Sequence, residues 1–169
     1  MEDLYTVISG TNRTGSNTIK VAKQYFELLK EKNVPAQFFS LEGWEWLHKN
    51  PEYDKLEREL FLPTTKFIFI SPEYNGSIPG VLKLMFDISD YKKTWWNKRA
   101  LLTGVATGRA GNLRGMDHLT SILHYMKMVV HPNKLPISSI EKLLNGASAI
   151  EDASTLHAIN SQLDEFIAF

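Results

Sequence analysis

Two loops carry residue types suited to binding rather than packing. The first, Ser9-Gly10-Thr11-Asn12-Arg13-Thr14-Gly15-Ser16-Asn17-Thr18, crowds hydroxyl and amide side chains ahead of a helical pattern and includes one arginine. A helix amino terminus offers unpaired N–H groups and partial positive charge, so small donors there suit a phosphate, and Arg13 would add a full charge. The same residues also fit a polar turn in which Ser16 simply caps the helix. The second loop lies within Ser71-Pro72-Glu73-Tyr74-Asn75-Gly76-Ser77-Ile78-Pro79-Gly80-Val81-Leu82-Lys83 and follows the apolar run Lys66-Phe67-Ile68-Phe69-Ile70. Pro72, Gly76 and Pro79 punctuate its backbone, and Pro79 is placed to open a helix near Gly80. Such a loop presents rigid amides at the carboxyl end of a strand, where open α/β sheets take their ligands.

Several chemistries are excluded. Gly10 and Gly15 have the spacing of a nucleotide-binding P-loop, but Ser16 and Asn17 stand where that motif needs Lys followed by Ser or Thr. No Gly-x-Gly-x-x-Gly fingerprint or Gly-x-Ser-x-Gly nucleophile elbow occurs. There is no cysteine, and His118, His124 and His131 lack the spacing that puts two ligands on one helix face, so no metal site is expected. Nineteen basic residues balance nineteen acidic ones, which gives no electrostatic case for nucleic acid or an acidic membrane. Met1-Glu2-Asp3-Leu4-Tyr5 is neither a basic leader nor an apolar core, and no apolar run approaches the ~20 residues of a membrane span, so a soluble cytoplasmic protein is expected.

The elements that must position these loops follow from the hydrophobic pattern. Strands are expected over residues 5–9, 36–41, 66–71, 100–107 and, shorter, 128–131. Helices are expected over 16–32, 80–90, 113–127 and 152–167. In the first helix Ile19, Ala22, Phe26 and Leu29 recur at helical spacing while Lys20, Lys23, Glu27, Lys30 and Glu31 face water. It ends at Asn33, with Pro35 beyond. Strand–helix alternation predicts a parallel sheet with helices on both faces, and 169 residues suit one domain, 1–169.

The two loops together resemble the NADPH-dependent FMN reductase family, whose members include quinone, azo-dye and chromate reductases. Residues 72–83 are similar to that family's second signature nearly residue for residue. Gly10-Thr11-Asn12-Arg13 followed by Ser16-Asn17 is similar to its first, with Thr in place of Ser. The resemblance implies a flavodoxin-like three-layer α/β/α fold with a five-stranded parallel sheet of order 2-1-3-4-5. It implies that Thr11, Arg13, Ser16, Asn17 and Thr18 hold the FMN phosphate and that Pro72, Glu73, Tyr74, Asn75, Gly76 and Ser77 border the ring. A third contact would come from Thr107-Gly108-Arg109-Ala110-Gly111-Asn112, Thr107, Gly108 and Arg109 above all, where Gly108 and Gly111 permit close backbone approach to a flat ring. Arg109 is either a flavin or substrate contact or a solvated loop residue, and Asn112 has no assigned part. Glu73 is read as a hydrogen-bonding residue of its loop rather than an acid or base, since flavin hydride transfer needs no side-chain base.

The expected activity is transfer of a hydride from NADPH or NADH through FMN to a small acceptor such as a quinone, azo compound, metal oxyanion or free flavin. One shared site would give ping-pong kinetics, and backbone donors of residues 74–77 would stabilise charge on the reduced ring. Two other readings stay open: a non-enzymatic FMN electron carrier, and a flavodoxin-fold binding protein without flavin. The resemblance also implies a homodimer or homotetramer. Trp44, Trp46, Tyr53, Tyr91, Trp95 and Trp96 are expected in the core or a subunit interface, with Tyr74 or one of the tryptophans as an acceptor contact.

Overall fold

Strand β1 (Tyr5–Ser9) is buried along its whole length, which explains a sequence of Tyr, Thr, Val, Ile and Ser without a charge. It lies between β2 (Ala36–Ser40) and β3 (Lys66–Pro72), and β3 in turn pairs with β4 (Arg99–Val105). The structure, a computed structural model, describes residues 2–169. All pairings are parallel and the order is β2-β1-β3-β4-β5, with β5 the short strand Val129–Val130. Phe67 and Phe69 face one layer and Ile68 and Ile70 the other, as strand alternation requires. Helices α1 (Asn17–Glu31) and α6 (Ala153–Ala168) cover the second face; α3 (Gly80–Asp87) and α5 (Leu113–Tyr125) cover the first.

The strand expected over 128–131 is present but shorter, and a further strand that sequence patterning did not assign follows it on the same edge, so the sheet has six strands rather than five. Strand β5 (Val129–Val130) pairs with Arg99 and Ala100, and β6 (Leu135–Ile137) pairs with Thr103, Gly104 and Val105 on the same edge of β4. Pro132 interrupts the chain between them with no N–H to give. A side chain fills the gap: Gln162 Nε2 donates to Leu102 O at 3.1 Å and to Asn133 O at 2.9 Å. Its Oε1 accepts from Tyr25 Oη at 2.7 Å and Thr103 Oγ1 at 3.1 Å. One buried amide thus replaces the missing rung.

Sequence patterning leaves residues 42–65 unassigned, and here the structure adds α2 (Pro51–Leu56), continued by a π-helical turn (Glu57–Phe61). Asn50 caps it, accepting from Tyr53 N at 2.7 Å, with Pro51 at the first helical position. The expected helix over 80–90 ends early, and Asp90 caps a separate short α4 (Tyr91–Thr94). Trp95 is fully buried among Phe61, Phe67, Phe69 and Phe86, while Trp44 and Trp46 pack on Tyr53. Among the described residues no helix is long and apolar enough to cross a membrane, and no cluster of His, Cys, Asp and Glu could hold a metal ion.

Candidate functional site

Because β1, β3 and β4 are neighbours and parallel, the loops that follow them leave the sheet side by side. The first departs tightly: Gly10 N donates to Ile70 O at 2.8 Å, and a Cβ on Gly10 would sit 3.0 Å from that oxygen and from Leu82 Cδ2. Its far side is anchored where Gly15 N donates to Glu42 Oε1 at 2.5 Å and Gly43 N to Asn12 O at 3.1 Å. Ser16 caps α1, accepting from Ile19 N at 3.2 Å. The polar-turn reading of Ser16 is therefore part of the structure. That cap leaves the N–H groups of Asn17 and Thr18 free at the helix mouth, and no acid lies in the first turn to compete for an anion.

The second loop closes on itself. Tyr74 N donates to Ser77 O at 2.9 Å and Ser77 N to Tyr74 O at 3.0 Å, with φ of 51° at Asn75 and 77° at Gly76. This is a type I′ turn, for which Asn-Gly is the favoured pair. Tyr74 and Ser77 spend their amides on each other, so the expectation of donors throughout 74–77 narrows to Asn75 and Gly76. Thr11 Oγ1 lies 2.8 Å from Tyr74 Oη, and the Arg13 guanidinium stands over the Tyr74 ring at 5.3 Å, which joins the first loop to the second. Ser77 Oγ lies 2.8 Å from His118 Nδ1 on α5, fixing the turn from behind.

The third loop is held by close packing. A Cβ on Gly104 would collide with Gly111 O, and one on Gly111, at φ +55°, would approach Pro136 Cβ to 2.6 Å. Gly111 therefore serves packing against β6, not ring approach. Gly108 differs, because a Cβ there would meet nothing within 4 Å. Asn112, buried and at φ 64°, donates from Nδ2 to Ser71 O at 2.8 Å, which ties the third loop to the end of β3.

The loops enclose a cleft of about 390 Å³. Thr11, Arg13, Ser16, Asn17 and Thr18 line one end; Pro72, Glu73, Tyr74, Asn75 and Gly76 form one wall; Thr107, Gly108 and Arg109 form another. Ser77 does not line it; its side chain turns to His118. None of the tryptophans reaches it either, so among the expected acceptor contacts only Tyr74 is placed for that part. Ala110, within the expected third segment, lines it too, while sequence reading misses Val105, Ala106 and Ile140. Ile140 arrives because its N–H donates to Ala106 O at 3.1 Å from a short 3₁₀ turn (Ile140–Lys142), and no local pattern signals that contact.

The model of one family, NADPH-dependent FMN reductase, matches residues 5–142. The chain belongs to that family. It is an oxidoreductase family that works through FMN and a reduced nicotinamide. The chain is similar to a 2-hydroxy-1,4-benzoquinone reductase of a Burkholderia species, 23% identical over 70% of this chain and 67% of that one. It is also 31% identical to an NAD(P)H-dependent FMN reductase of Pseudomonas aeruginosa, over 63% and 59% of the two chains. The match thus spans about two thirds of one curated relative and less of the other. In structure it is similar to the flavoenzyme NAD(P)H:(acceptor) oxidoreductase FerB of Paracoccus denitrificans, with a TM-score of 0.77 over 99% and 96% of the chains at 19% identity. That likeness shows the flavodoxin-like fold.

The residues present fit FMN. Hydroxyls, helix-mouth amides and Arg13, which makes no ion pair among the described residues, suit a phosphate dianion. The bare backbone at Gly108 and the free amides of Asn75 and Gly76 suit the face and edge of a flat heteroaromatic ring.

Proposed function

We propose that residues 1–169 act as one FMN-binding domain that oxidises NADPH or NADH and reduces a small acceptor, a quinone being the class to test first. The observation that carries this reading is the convergence of three loops, two of them with helix-mouth or turn amides left over, on one cleft. The similarity to a benzoquinone reductase supports the acceptor class. For a quinone the balance is NAD(P)H plus a proton plus quinone giving NAD(P)⁺ and hydroquinone.

Bound FMN would supply the hydride chemistry; the protein supplies position and field. Asn17 and Thr18 N–H, with Thr11 and Arg13, would hold its phosphate. The Asn75 and Gly76 amides would donate to the ring edge, where fixed dipoles would stabilise negative charge without reorganising. Tyr74, immobilised by Thr11 and Arg13, walls the cleft beside the place where reductant and acceptor take turns, which gives ping-pong kinetics. Glu73, expected to hydrogen-bond within its own loop, makes no such bond among the described residues and lines the cleft instead, where it would serve as an acceptor for a ring or ribose donor.

A homo-oligomer belongs to the same proposal. Exposed Tyr125, which stacks with Tyr91 at 6.4 Å, Leu113 and Val129 place unusual apolar surface along the α5 side.

The test is anaerobic: load the protein with FMN, remove the excess, add NADPH or NADH, and follow flavin absorbance before supplying a quinone. Bleaching followed by reoxidation on quinone addition is expected. Retained flavin that neither nicotinamide bleaches would indicate an electron carrier, and failure to retain flavin would overturn the reading.

A further inference from the structure

Asn112 uses its side chain in a way that neither the sheet nor α5 requires. It stands at the position that caps α5, where an Asn side chain ordinarily accepts from N–H groups of the first turn, yet it makes no such bond. Its amide turns inward, fully buried, and Nδ2 donates to Ser71 O at 2.8 Å. Two local costs accompany that orientation: a φ of 64° in a residue with a Cβ, and an Oδ1 buried without a hydrogen-bond partner among the described residues. Two other elements make room for it. A Cβ on Gly104 of β4 would lie 3.0 Å from Asn112 Cβ, and one on Gly115 of α5 would collide with Asn112 Oδ1. Strain that the surrounding structure holds in place points toward function.

The segments that this amide joins lead into two walls of the cleft. Ser71 precedes Pro72, where the Pro72–Gly76 wall begins, and Asn112 closes the loop whose Thr107, Gly108, Arg109 and Ala110 form another wall. That second wall is otherwise held by its carbonyls. Ser139 N donates to Gly108 O at 2.9 Å and Ile140 N to Ala106 O at 3.1 Å, from the chain that follows β6. None of the N–H groups from Thr107 to Gly111 donates to a main-chain carbonyl among the described residues. Beyond the paired strands, the Asn112 amide is therefore the hydrogen bond that sets this wall against its neighbour. It acts from behind, since Asn112 does not line the cleft.

We propose that Asn112 is a positioning residue for the flavin: its amide fixes the gap between the two walls, and thereby the placement of the ring, without touching it. The inference rests on the function proposed above and assigns ring placement to a residue outside the cleft. A hydride moves only between closely placed atoms, so a wall that drifts costs rate as well as affinity. The phosphate end is built by the first loop and α1 and stands outside this latch.

The experiment compares FMN with riboflavin, which has the ring but no phosphate, by fluorescence titration of the flavin-free protein. It also follows anaerobic bleaching of FMN-loaded protein at saturating NADPH. Asn112→Gly keeps the left-handed backbone and deletes the amide. It should weaken both flavins by about tenfold, equally to within about threefold, and slow bleaching about tenfold. Arg13→Ala should instead weaken FMN alone. Asn33→Gly, the same exchange at a φ of 57° beyond α1, should leave every value within about twofold of wild type. A lower melting temperature with flavin affinities unchanged, a loss confined to FMN, or bleaching at the wild-type rate would overturn the assignment. If Asn112→Gly does not fold, Gly115→Ala decides it: the added methyl displaces the Asn112 amide while favouring the helix, and should reproduce both defects. Wild-type protein that retains no flavin would reject the proposed function and this assignment with it, a result seen before any variant is made. Flavin retained but bleached by neither nicotinamide would reject only the reduction, and the two titrations would still decide Asn112.

Discussion

At the amino ends of β3 and β4, Lys66 and Lys98 give their ammonium protons to main-chain carbonyls, whereas beyond the carboxyl edge of the sheet Arg13, Arg109 and Arg114 make no ion pair among the described residues. Lys66 Nζ donates to Phe166 O at 3.1 Å and Ile167 O at 3.0 Å, closing α6, and pairs with Asp3 at 3.1 Å. Lys98 Nζ donates to Phe61 O at 2.7 Å and Leu62 O at 3.0 Å, closing the π-helical turn. Between these extremes Gln162 uses both ends of its amide inside the sheet edge. Cations and amides of the same chemistry therefore serve two purposes. Where the protein supplies the acceptors, the groups stabilise the fold; where it supplies none, they await a ligand.

The comparison breaks most visibly if an inner group proves dispensable. Gln162→Ala leaves the Tyr25 and Thr103 hydroxyls and two carbonyls short of partners and opens a void, so unfolding in urea should show a loss of about 3–5 kcal/mol. FMN affinity of the folded protein should change less than about twofold. The converse case is Arg13→Ala. FMN titration should show weakening by roughly 1.5–3 kcal/mol, with stability of the flavin-free protein within about 0.5 kcal/mol of wild type. Unchanged affinity would remove Arg13 from the phosphate site.

Gly108 and Gly111 sharpen the contrast within one loop. Gly108→Val projects methyl groups into the cleft and should weaken FMN by about 1–2 kcal/mol while the empty protein melts normally. Gly111→Ala, clashing with Pro136 at positive φ, should instead lower the melting temperature. The smallest effect concerns pH. Burial lowers the Lys98 ammonium to about 8 from its ordinary 10.5. Between those values the unfolded chain binds more protons than the folded one, so Lys98 contributes stability that rises with pH across this window. Relative to Lys98→Met, wild type should gain up to about 1 kcal/mol from pH 8 to pH 10 in denaturant titrations.

Much of the site was legible because its signals are local. Asn75-Gly76 specifies a type I′ turn, Ser16 a helix cap and Pro79 a helix start, each through the conformational preference of one or two residues. Ser77 misled for the same reason: its place in the signature says nothing of His118, 41 residues away, toward which it turns. Gly111 looked equivalent to Gly108 until Pro136 was brought against it. Asn50-Pro51 marks the start of α2 and was available in the sequence, but the short helix it opens lacks enough periodic residues to stand out.

The sequence by itself determined the strand–helix alternation, the family and the composition of the loops, because hydrophobic period and turn chemistry act over a few residues. Only the tertiary structure decided which loops meet, that a sixth strand follows the fifth, and which arginines make no ion pair among the described residues. Those outcomes depend on strand order and on partners such as Gln162 with Leu102, 60 residues apart, and no local preference encodes contacts at that separation.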